Sequence, residues 1–254
     1  MRPSAPLYDA LADSYDEHFA VPHRRAYDDL AWEIATGMIE PGASVLDVGC
    51  GVGRWAGRLL AAGHRVTGIE PSPRMADAAQ KRLGPGFPLI RAGVEDADPP
   101  PADAVLAMGS LQYAADPAAA IARCAEWVRP GGVLCVLVDS RQALILELLA
   151  ADRPDEALER LTTRRGRWRL DSHTADLHLL DAAELTAAVR AAGLRVERIA
   201  GLLVGATVHG RDGLLRRLTD DYAAALSAER RLAAEPALAD LGKQLLVVGR
   251  KPER

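Results

Sequence analysis

Short apolar runs rich in Val, Leu and Ile alternate along the chain with longer stretches in which apolar residues recur at helical spacing. Because strands that alternate with helices are typical of βαβ units, this pattern predicts an α/β fold with a mostly parallel sheet. Ser72 before Pro73 and Asp116 before Pro117 are typical helix starts, and Gly193 is typical of a helix end. The predicted strands are 44–48, 65–70, 88–92, 103–108, 133–139, 195–203 and 244–249, and the predicted helices are 54–62, 73–83, 117–128 and 182–192.

Three longer segments interrupt this alternation, at residues 7–39, 140–180 and 205–243. Elements inserted between sheet strands usually cover the ligand crevice at the carboxyl ends of the strands. The length of 254 residues suits one large domain. We therefore predict a single domain over 1–254, with lid helices at 7–39 and with cap insertions at 140–180 and 205–243 that select the substrate.

Composition narrows the classes of partner. A net charge of −4 and an aromatic content of 4% do not favour a nucleic-acid or membrane surface. The three cysteines, Cys50, Cys124 and Cys135, are widely spaced and odd in number, so we expect neither a disulfide framework nor a metal site. Acids stand in the first 20 residues where a signal peptide has an apolar run, which predicts a cytoplasmic protein. Abundant alanine, with arginine far commoner than lysine, indicates a GC-rich bacterial genome.

The stretch VLDVGCGVGRW joins the first predicted strand to the first helix. A loop with glycines two residues apart lets backbone N–H groups approach a ligand, as in all nucleotide-binding folds of this kind. Glu70 ends the next strand, where a carboxylate can accept hydrogen bonds from both hydroxyls of a ribose. Arg54 stands where a dinucleotide fingerprint has its third glycine, and an ionised Asp47 suits a ligand with cationic groups. The three loop glycines are Gly49, Gly51 and Gly53.

The segments VLDVGCGVGRWAGRLLAAGHRVTGIEPSPRM and DAVLAMGSLQYAADPAAAIARCAEWVRPGGVLCVLV resemble a class I S-adenosylmethionine-dependent methyltransferase of the small-molecule type. The resemblance covers residues 44–139 well and residues 181–200 and 243–250 more weakly. It implies a Rossmann-like sheet of seven strands with the last strand antiparallel and helices on both faces. It also implies S-adenosylmethionine as cofactor and S-adenosylhomocysteine as product.

The same resemblance implies the cofactor contacts. The loop glycines line the methionine part, Asp47 helps to hold the loop and the amino group, and Cys50 is a small residue within the loop. Glu70 binds the ribose, while Pro71 and Met75 flank the adenine. The implied cofactor residues are Tyr15, Asp47, Gly49, Cys50, Gly51, Gly53, Glu70, Pro71, Met75, Val94, Glu95, Met108, Gly109 and Leu111.

Two further regions complete that set. Met108, Gly109 and Leu111 follow the fourth strand beside the sulfonium end, and Tyr15 belongs to a leading helix that folds over the cofactor. Many members carry an acid after the third strand that binds the adenine amino group, whereas this chain has Gly93 there. The adenine is then held either by the backbone near Val94 or by the carboxylate of Glu95.

Methyl transfer from a sulfonium needs positioning above all, so a general base is optional. The first candidate base is His173, expected in a loop beside Asp171, and the second is His18, near Tyr15. Histidines without a catalytic role are the competing interpretation for both positions.

Candidate substrate contacts are Tyr113, just past the fourth strand, and the basic, aromatic pair Arg167 and Trp168. Arginine can bind a carboxylate or phosphate of the substrate, but a packed tyrosine and a solvated charged face are the alternatives. The predicted function is methyl transfer to an oxygen or nitrogen of a small molecule, in specialised metabolism, by a monomer or homodimer. The alternatives are a nicotinamide-dependent oxidoreductase and a non-enzymatic module that binds the cofactor or a partner.

Overall fold

The computed structural model describes residues 3–253, apart from the side chain of residue 211. Its centre is a seven-stranded sheet in the order β3-β2-β1-β4-β5-β9-β8. Only β9 runs antiparallel to its neighbours β5 and β8, so the predicted α/β class and the antiparallel last strand are confirmed. The strands are β1 Ser44–Val48, β2 Arg65–Ile69, β3 Leu89–Ile90, β4 Ala102–Met108, β5 Val128–Asp139, β8 Arg195–Leu202 and β9 Gln244–Arg250.

Helices cover both faces of this sheet. The helices that follow the parallel strands are α4 Arg54–Ala61, α5 Pro73–Leu83, α6 Pro117–Trp127 and α9 Ala182–Ala191. Ser72 accepts a hydrogen bond from the backbone N–H of Met75, and Asp116 accepts from two N–H groups, as the two proline-containing helix starts predict. One apolar core includes α4, and the other, on the opposite face, includes α6 and α9.

The N-terminal segment divides into two parts with different roles. Helices α1 Ala5–Leu11 and α2 Tyr15–Phe19, joined by a 3₁₀ turn at Ala12–Ser14, lie near the carboxyl ends of the strands. Helix α3 Pro22–Thr36 instead packs its apolar side, including Leu30 and Ile34, into the sheet core. The prediction of a lid over 7–39 is therefore wrong for most of α3. This helix belongs to the layer of helices that packs on the sheet.

Residues 140–180 form two helices and a hairpin, namely α7 Arg141–Ala150, α8 Pro154–Thr163, β6 Arg165–Leu170 and β7 His173–His178. The hairpin contacts α1 and the 3₁₀ turn at Leu111–Tyr113. The loop predicted around His173 is wrong at that residue, because His173 begins β7 and pairs with Leu170.

The segment 205–243 corresponds to α10 Val204–Asp220, α11 Tyr222–Ala233 and a 3₁₀ turn at Pro236–Leu241. Leu214, Leu218 and Leu226 are buried in the same core as α3, so α10 and α11 are sheet-covering helices and not the predicted cap. None of the helices in the described range combines the length and the apolar character that a membrane crossing requires.

Candidate active site

One cavity of about 630 Å³ opens where the carboxyl ends of β1, β2, β4 and β5 meet. Each strand brings a residue to its wall: Gly49 after β1, Glu70 after β2, Gly109 after β4 and Asp139 at the end of β5. Small-molecule sites commonly have volumes of about 300–1,000 Å³, and open α/β sheets bind ligands at this edge. The cavity is therefore the candidate site.

The glycine loop makes a close approach that a side chain would prevent. A Cβ at Gly49 would lie 2.4 Å from the Cβ of Ser110, and the φ angle of Gly49 is +74°. A Cβ at Gly51 would lie 3.8 Å from the Tyr15 ring, so the loop packs between the end of β4 and α2. Both glycines line the cavity, which leaves the loop backbone accessible to a ligand.

Glu70 ties this loop to the next helix. Its carboxylate accepts hydrogen bonds from the N–H groups of Gly51 and Ser72, each at 2.8 Å. Burial raises the pKa of this carboxyl, and the two backbone donors oppose that rise. A carboxylate has about four lone-pair sites, so Glu70 retains acceptor capacity for two ribose hydroxyls.

Asp47 lies behind the loop, 2% exposed, and does not line the cavity. Burial and then the negative charge of Glu70 raise its pKa to about 7, which corrects the expectation of a fully ionised Asp47. Within the described residues its Oδ2 has no hydrogen-bond partner. A buried, incompletely satisfied carboxyl beside a second one favours a ligand that brings positive charge, as S-adenosylmethionine does.

The cavity brings ten of the fourteen implied cofactor residues to its wall. Gly53 is not among them: its φ is +78° and a Cβ there would lie 2.9 Å from Leu83 Cδ1, so this glycine permits α4 to pack on α5. Met75 is fully buried against Leu11, and Cys50 is buried behind the loop. The ten residues at the wall are Tyr15, Gly49, Gly51, Glu70, Pro71, Val94, Glu95, Met108, Gly109 and Leu111.

The structure also bears on the missing acid after β3. A Cβ on Gly93 would lie 3.0 Å from the Glu95 Oε2 atom, so the Glu95 carboxylate occupies the space beside the absent side chain. Both residues and Val94 line the cavity. This geometry favours Glu95 as the substitute carboxylate.

Neither candidate histidine lines the cavity. His18 stacks against Phe19 and Trp168, with ring centroids 5.9 and 5.6 Å apart, and burial followed by the charge of Arg24 lowers its pKa to about 4. His173 is exposed beside Ser172, in a separate surface depression near Leu7. Their positions correct the expectation that either takes a proton from an acceptor in this cavity.

The far side of the cavity is aromatic. Tyr113, Arg167 and Trp168 line it, together with Tyr8, which the sequence interpretation did not identify. Tyr8 lies 5.6 Å from Tyr113 and 5.3 Å from Trp168 between ring centroids, and its side chain is hydrogen-bonded to Tyr113. The Arg167 guanidinium lies 3.4 Å from Asp176, so its charge is already partly compensated.

A half-buried carboxyl, Asp139, was not identified from the sequence. Asp139 Oδ2 accepts from Gln112 Nε2 at 3.0 Å, and Asp139 Oδ1 accepts from Gln244 Nε2 at 3.4 Å. Gln244 is the residue opposite Asp139 in the antiparallel β5–β9 pair. An acid at the carboxyl end of a strand, as in Glu70, was the signal in the sequence, but its partners come from distant segments.

No three His, Cys, Asp or Glu side chains gather into a group that could hold a metal ion within the part of the chain that the structure describes. The cavity wall offers carboxylates, amides, tyrosines and basic side chains, the last being His23, Arg24, Arg167 and Lys243.

Known proteins resemble this chain in sequence and in fold. Residues 45–132 match the family described as a methyltransferase domain. A ubiquinone biosynthesis O-methyltransferase of Xylella fastidiosa is 34% identical over 63% of this chain, which spans 64% of that relative's length. The protein of the same description from Xanthomonas axonopodis pv. citri is 32% identical over 70% of this chain and 74% of its own.

A solved structure from Thermotoga maritima, a SAM-dependent methyltransferase described as a possible histamine N-methyltransferase, has the same fold. Its TM-score is 0.61 at 18% identity, covering 97% of this chain and 99% of that chain. The sequence relatives, the strand order, the glycine loop and the position of Glu70 all indicate the same family. The chain belongs to the class I S-adenosylmethionine-dependent methyltransferases.

Proposed function

We propose that this chain transfers the methyl group of S-adenosylmethionine to an oxygen of a small-molecule acceptor. The observation that carries the proposal is one continuous cavity with the glycine loop and Glu70 at one end and Tyr113 and Trp168 at the other. The sequence left oxygen and nitrogen open. Two relatives that are about a third identical to this chain over the aligned segments are O-methyltransferases, which favours oxygen.

The residues of the cavity fit the cofactor of this family. Glu70 would hold the ribose, the backbone of Gly49 and Gly51 the methionine part, and Glu95 the adenine. When bound, S-adenosylmethionine would supply an electrophilic methyl group on a sulfonium. The electron pair of the carbon–sulfur bond stays on sulfur when the methyl group is transferred.

The work of the protein is then positioning and exclusion of water. Tyr15 on α2, Tyr8 on α1 and Trp168 of the hairpin all line the cavity, and the rings of Tyr8 and Trp168 contact each other. Fixed geometry of this kind can contribute about 7–11 kcal/mol to a two-reactant displacement. The mechanism requires an acceptor lone pair aimed at the methyl carbon, so the acceptor wall determines which molecules react.

An acceptor from specialised metabolism is suggested by the GC-rich composition and by the hairpin at 165–178, which adds its own residues to the cavity wall. We further propose a cytoplasmic monomer or homodimer without nucleic-acid or membrane partners, on the basis of its charge and composition. The family assignment replaces the oxidoreductase alternative.

The test is a parallel calorimetric titration with S-adenosylmethionine, S-adenosylhomocysteine and NAD. We expect micromolar binding of the first two and no response to NAD. Release of S-adenosylhomocysteine is then measured with panels of hydroxyl and amine acceptors. Absence of binding to both S-adenosylmethionine and S-adenosylhomocysteine would contradict the proposal. Cofactor binding without methylation of any hydroxyl or amine acceptor would favour the non-enzymatic module.

A further inference from the structure

Asp139 and Glu147 are carboxylates that line the cavity outside the cofactor set, and Asp139 is the one that follows directly from a central strand. It lies two residues beyond Leu137, the β5 partner of Met108, and the N–H of Gly109 donates to the Leu137 carbonyl at 3.0 Å. The Asp139 side chain therefore reaches the cavity beside the segment 108–111, which the family resemblance assigns to the reacting end of the cofactor.

The hydrogen bonds of Asp139 hold it in place without saturating it. Its own N–H donates to Gln112 Oε1 at 2.7 Å while Gln112 Nε2 donates back to the carboxylate, so Gln112, which is 3% exposed, clamps both groups. Gln244 supplies a longer bond from the other side. With two donors for about four lone-pair sites, each carboxylate oxygen can still accept a proton.

Charged and titratable groups face Asp139 from several elements. Lys243, before β9, and Arg24, on α3, place positive charge near it, while the tyrosines Tyr8 and Tyr113 border it from α1 and from the turn after β4. Lys243 is also paired with Glu147 of α7 at 3.0 Å, so much of its charge is compensated. Burial is the strongest influence, and it raises the pKa of Asp139.

The chemistry of the acceptor follows from the strength of such a base. A phenolic hydroxyl has a pKa of about 10, as in tyrosine. A hydroxyl as weakly acidic as water, with a pKa of about 15.7, is much further beyond the reach of a carboxylate. The same wall carries the rings of Tyr8 and Tyr113 and apolar side chains of Leu144 and Leu203, which suit a flat apolar molecule.

We propose that Asp139 is the general base of this chain and that the acceptor is an aromatic hydroxyl. The inference rests on the proposed methyl transfer and names its base and acceptor class. In the step, the acceptor O–H bond breaks, its proton bonds to a carboxylate oxygen of Asp139, and its electron pair stays on the oxygen that bonds the methyl carbon. Gln112 and Gln244 are positioning residues for this carboxylate.

The experiment compares Asp139→Asn with wild-type protein on a panel of substituted phenols that includes 4-methylphenol, protonated at pH 8.5, and 4-nitrophenol, ionised at that pH. Removal of a general base typically costs 10²–10⁴-fold in rate, so we expect a slowing of about that size with 4-methylphenol. With 4-nitrophenol no proton remains to be removed, and loss of the nearby negative charge leaves the rate equal or higher.

Glu229→Gln is the matched control, because Glu229 is a hydrogen-bonded carboxylate, 4% exposed, that lies outside the cavity wall. It should change neither rate. Equal slowing of Asp139→Asn on both phenols would overturn the base role. Normal binding of S-adenosylmethionine without methylation of any phenol in the panel would overturn the acceptor class, whereas failure to bind it would contradict the proposed function itself.

A second measurement serves if Asp139→Asn does not fold, as thermal unfolding will reveal. The wild-type rate with 4-methylphenol should fall at acidic pH, with its midpoint above the usual carboxyl range, because only the ionised base accepts the proton. A dinitrophenol is a stronger acid that stays ionised well into the acidic range, so its rate should lack that limb. Identical profiles for 4-methylphenol and the dinitrophenol would overturn the proposal.

Discussion

The two halves of the cavity are built in different ways. The cofactor half comes from consecutive strand, loop and helix units between residues 44 and 111, with Tyr15 of α2 as its one addition from elsewhere, and its glycine loop is continuous in sequence. The acceptor half joins Tyr8, Asp139, Trp168 and Gln244, which lie far apart along the chain. A half made of one local motif can be recognised in a sequence, whereas a half assembled by topology is visible only once the strands are paired.

The largest effect is expected from a substitution that adds a side chain to the glycine loop of the cofactor half. Gly49→Ala should cost about 1–2 kcal/mol for its backbone conformation and a further ~1–3 kcal/mol for the contact with Ser110, because that contact is only 2.4 Å. Displacement of the loop should weaken S-adenosylmethionine binding by roughly 100-fold or more, since each 1.4 kcal/mol is tenfold. Calorimetry and urea unfolding measure the two effects.

Gly42→Ala is its control, with a φ of +72° and no atom within 4 Å of the added Cβ. It should lose only the backbone part of the stability and none of the cofactor affinity. Equal losses in both variants would mean that the close approach at Gly49 has no special role.

The next effect concerns the carboxylate that joins loop and ribose. Glu70→Gln should weaken S-adenosylmethionine binding about 10- to 100-fold, because hydrogen bonds to a charged group contribute about 1.5–3 kcal/mol. Glu229→Gln is again the control, since Glu229 is a buried carboxylate that accepts from the Gly205 N–H at 2.9 Å. A similar loss of affinity in both variants would point to general destabilisation.

Proton competition should give a smaller change. Asp47 has its pKa raised to about 7, and a cationic ligand favours its ionised form. Protons therefore compete with the ligand below that value, and affinity for S-adenosylmethionine should fall roughly tenfold from pH 7.5 to 5.5, where an α-ammonium with a pKa of about 7.7–8.0 stays charged. Calorimetry at several pH values measures it; Asp47→Asn should flatten the profile, and a flat wild-type profile would contradict the role of Asp47.

The smallest effect separates the two halves most cleanly. Trp168→Leu removes two ring contacts, with Tyr8 and His18. One aromatic contact contributes about 0.5–1.5 kcal/mol, so loss of a single ring contact to the acceptor should raise acceptor KM about 3- to 10-fold with unchanged cofactor affinity. His173→Ala, on the same hairpin but exposed, should change neither. A weaker cofactor affinity in Trp168→Leu would show that the two halves of the cavity do not bind their ligands independently.

The sequence predicted the sheet well because its signals are local. Ser72 and Asp116 cap their helices as expected, and the apolar runs correspond to strands. Glu70 could be identified because it ends a strand next to a glycine loop. Helix α3 precedes the first strand, a position typical of a lid, but Leu30 and Ile34 recur at helical spacing on its buried face and place it in the sheet core.

The sequence indicated Tyr113, Arg167 and Trp168 but not Tyr8 or Asp139 in the acceptor half, and the reason is physical. Asp139 stands at a strand end like Glu70, but its significance depends on Gln112 and on Gln244, which a register between distant strands places opposite it. His173 was chosen because it is a titratable residue near an acid in sequence, and the hairpin turns it outward. Proximity along the chain is a poor guide where contacts are long-range.

The antiparallel strand β9 also bears on the order in which the protein becomes competent during synthesis. Asp139 and Gln244 are 105 residues apart, and β8 joins the sheet only through β9. Domains fold as the chain emerges from synthesis. Pairing between distant strands is slow because the chain loses the entropy of loop closure before the stabilising contacts form. A nascent chain that still lacks β9 therefore has Tyr8, Tyr113, Asp139 and Trp168 but not Gln244, so only Gln112 is present to hold the Asp139 carboxylate until the final strand pairs.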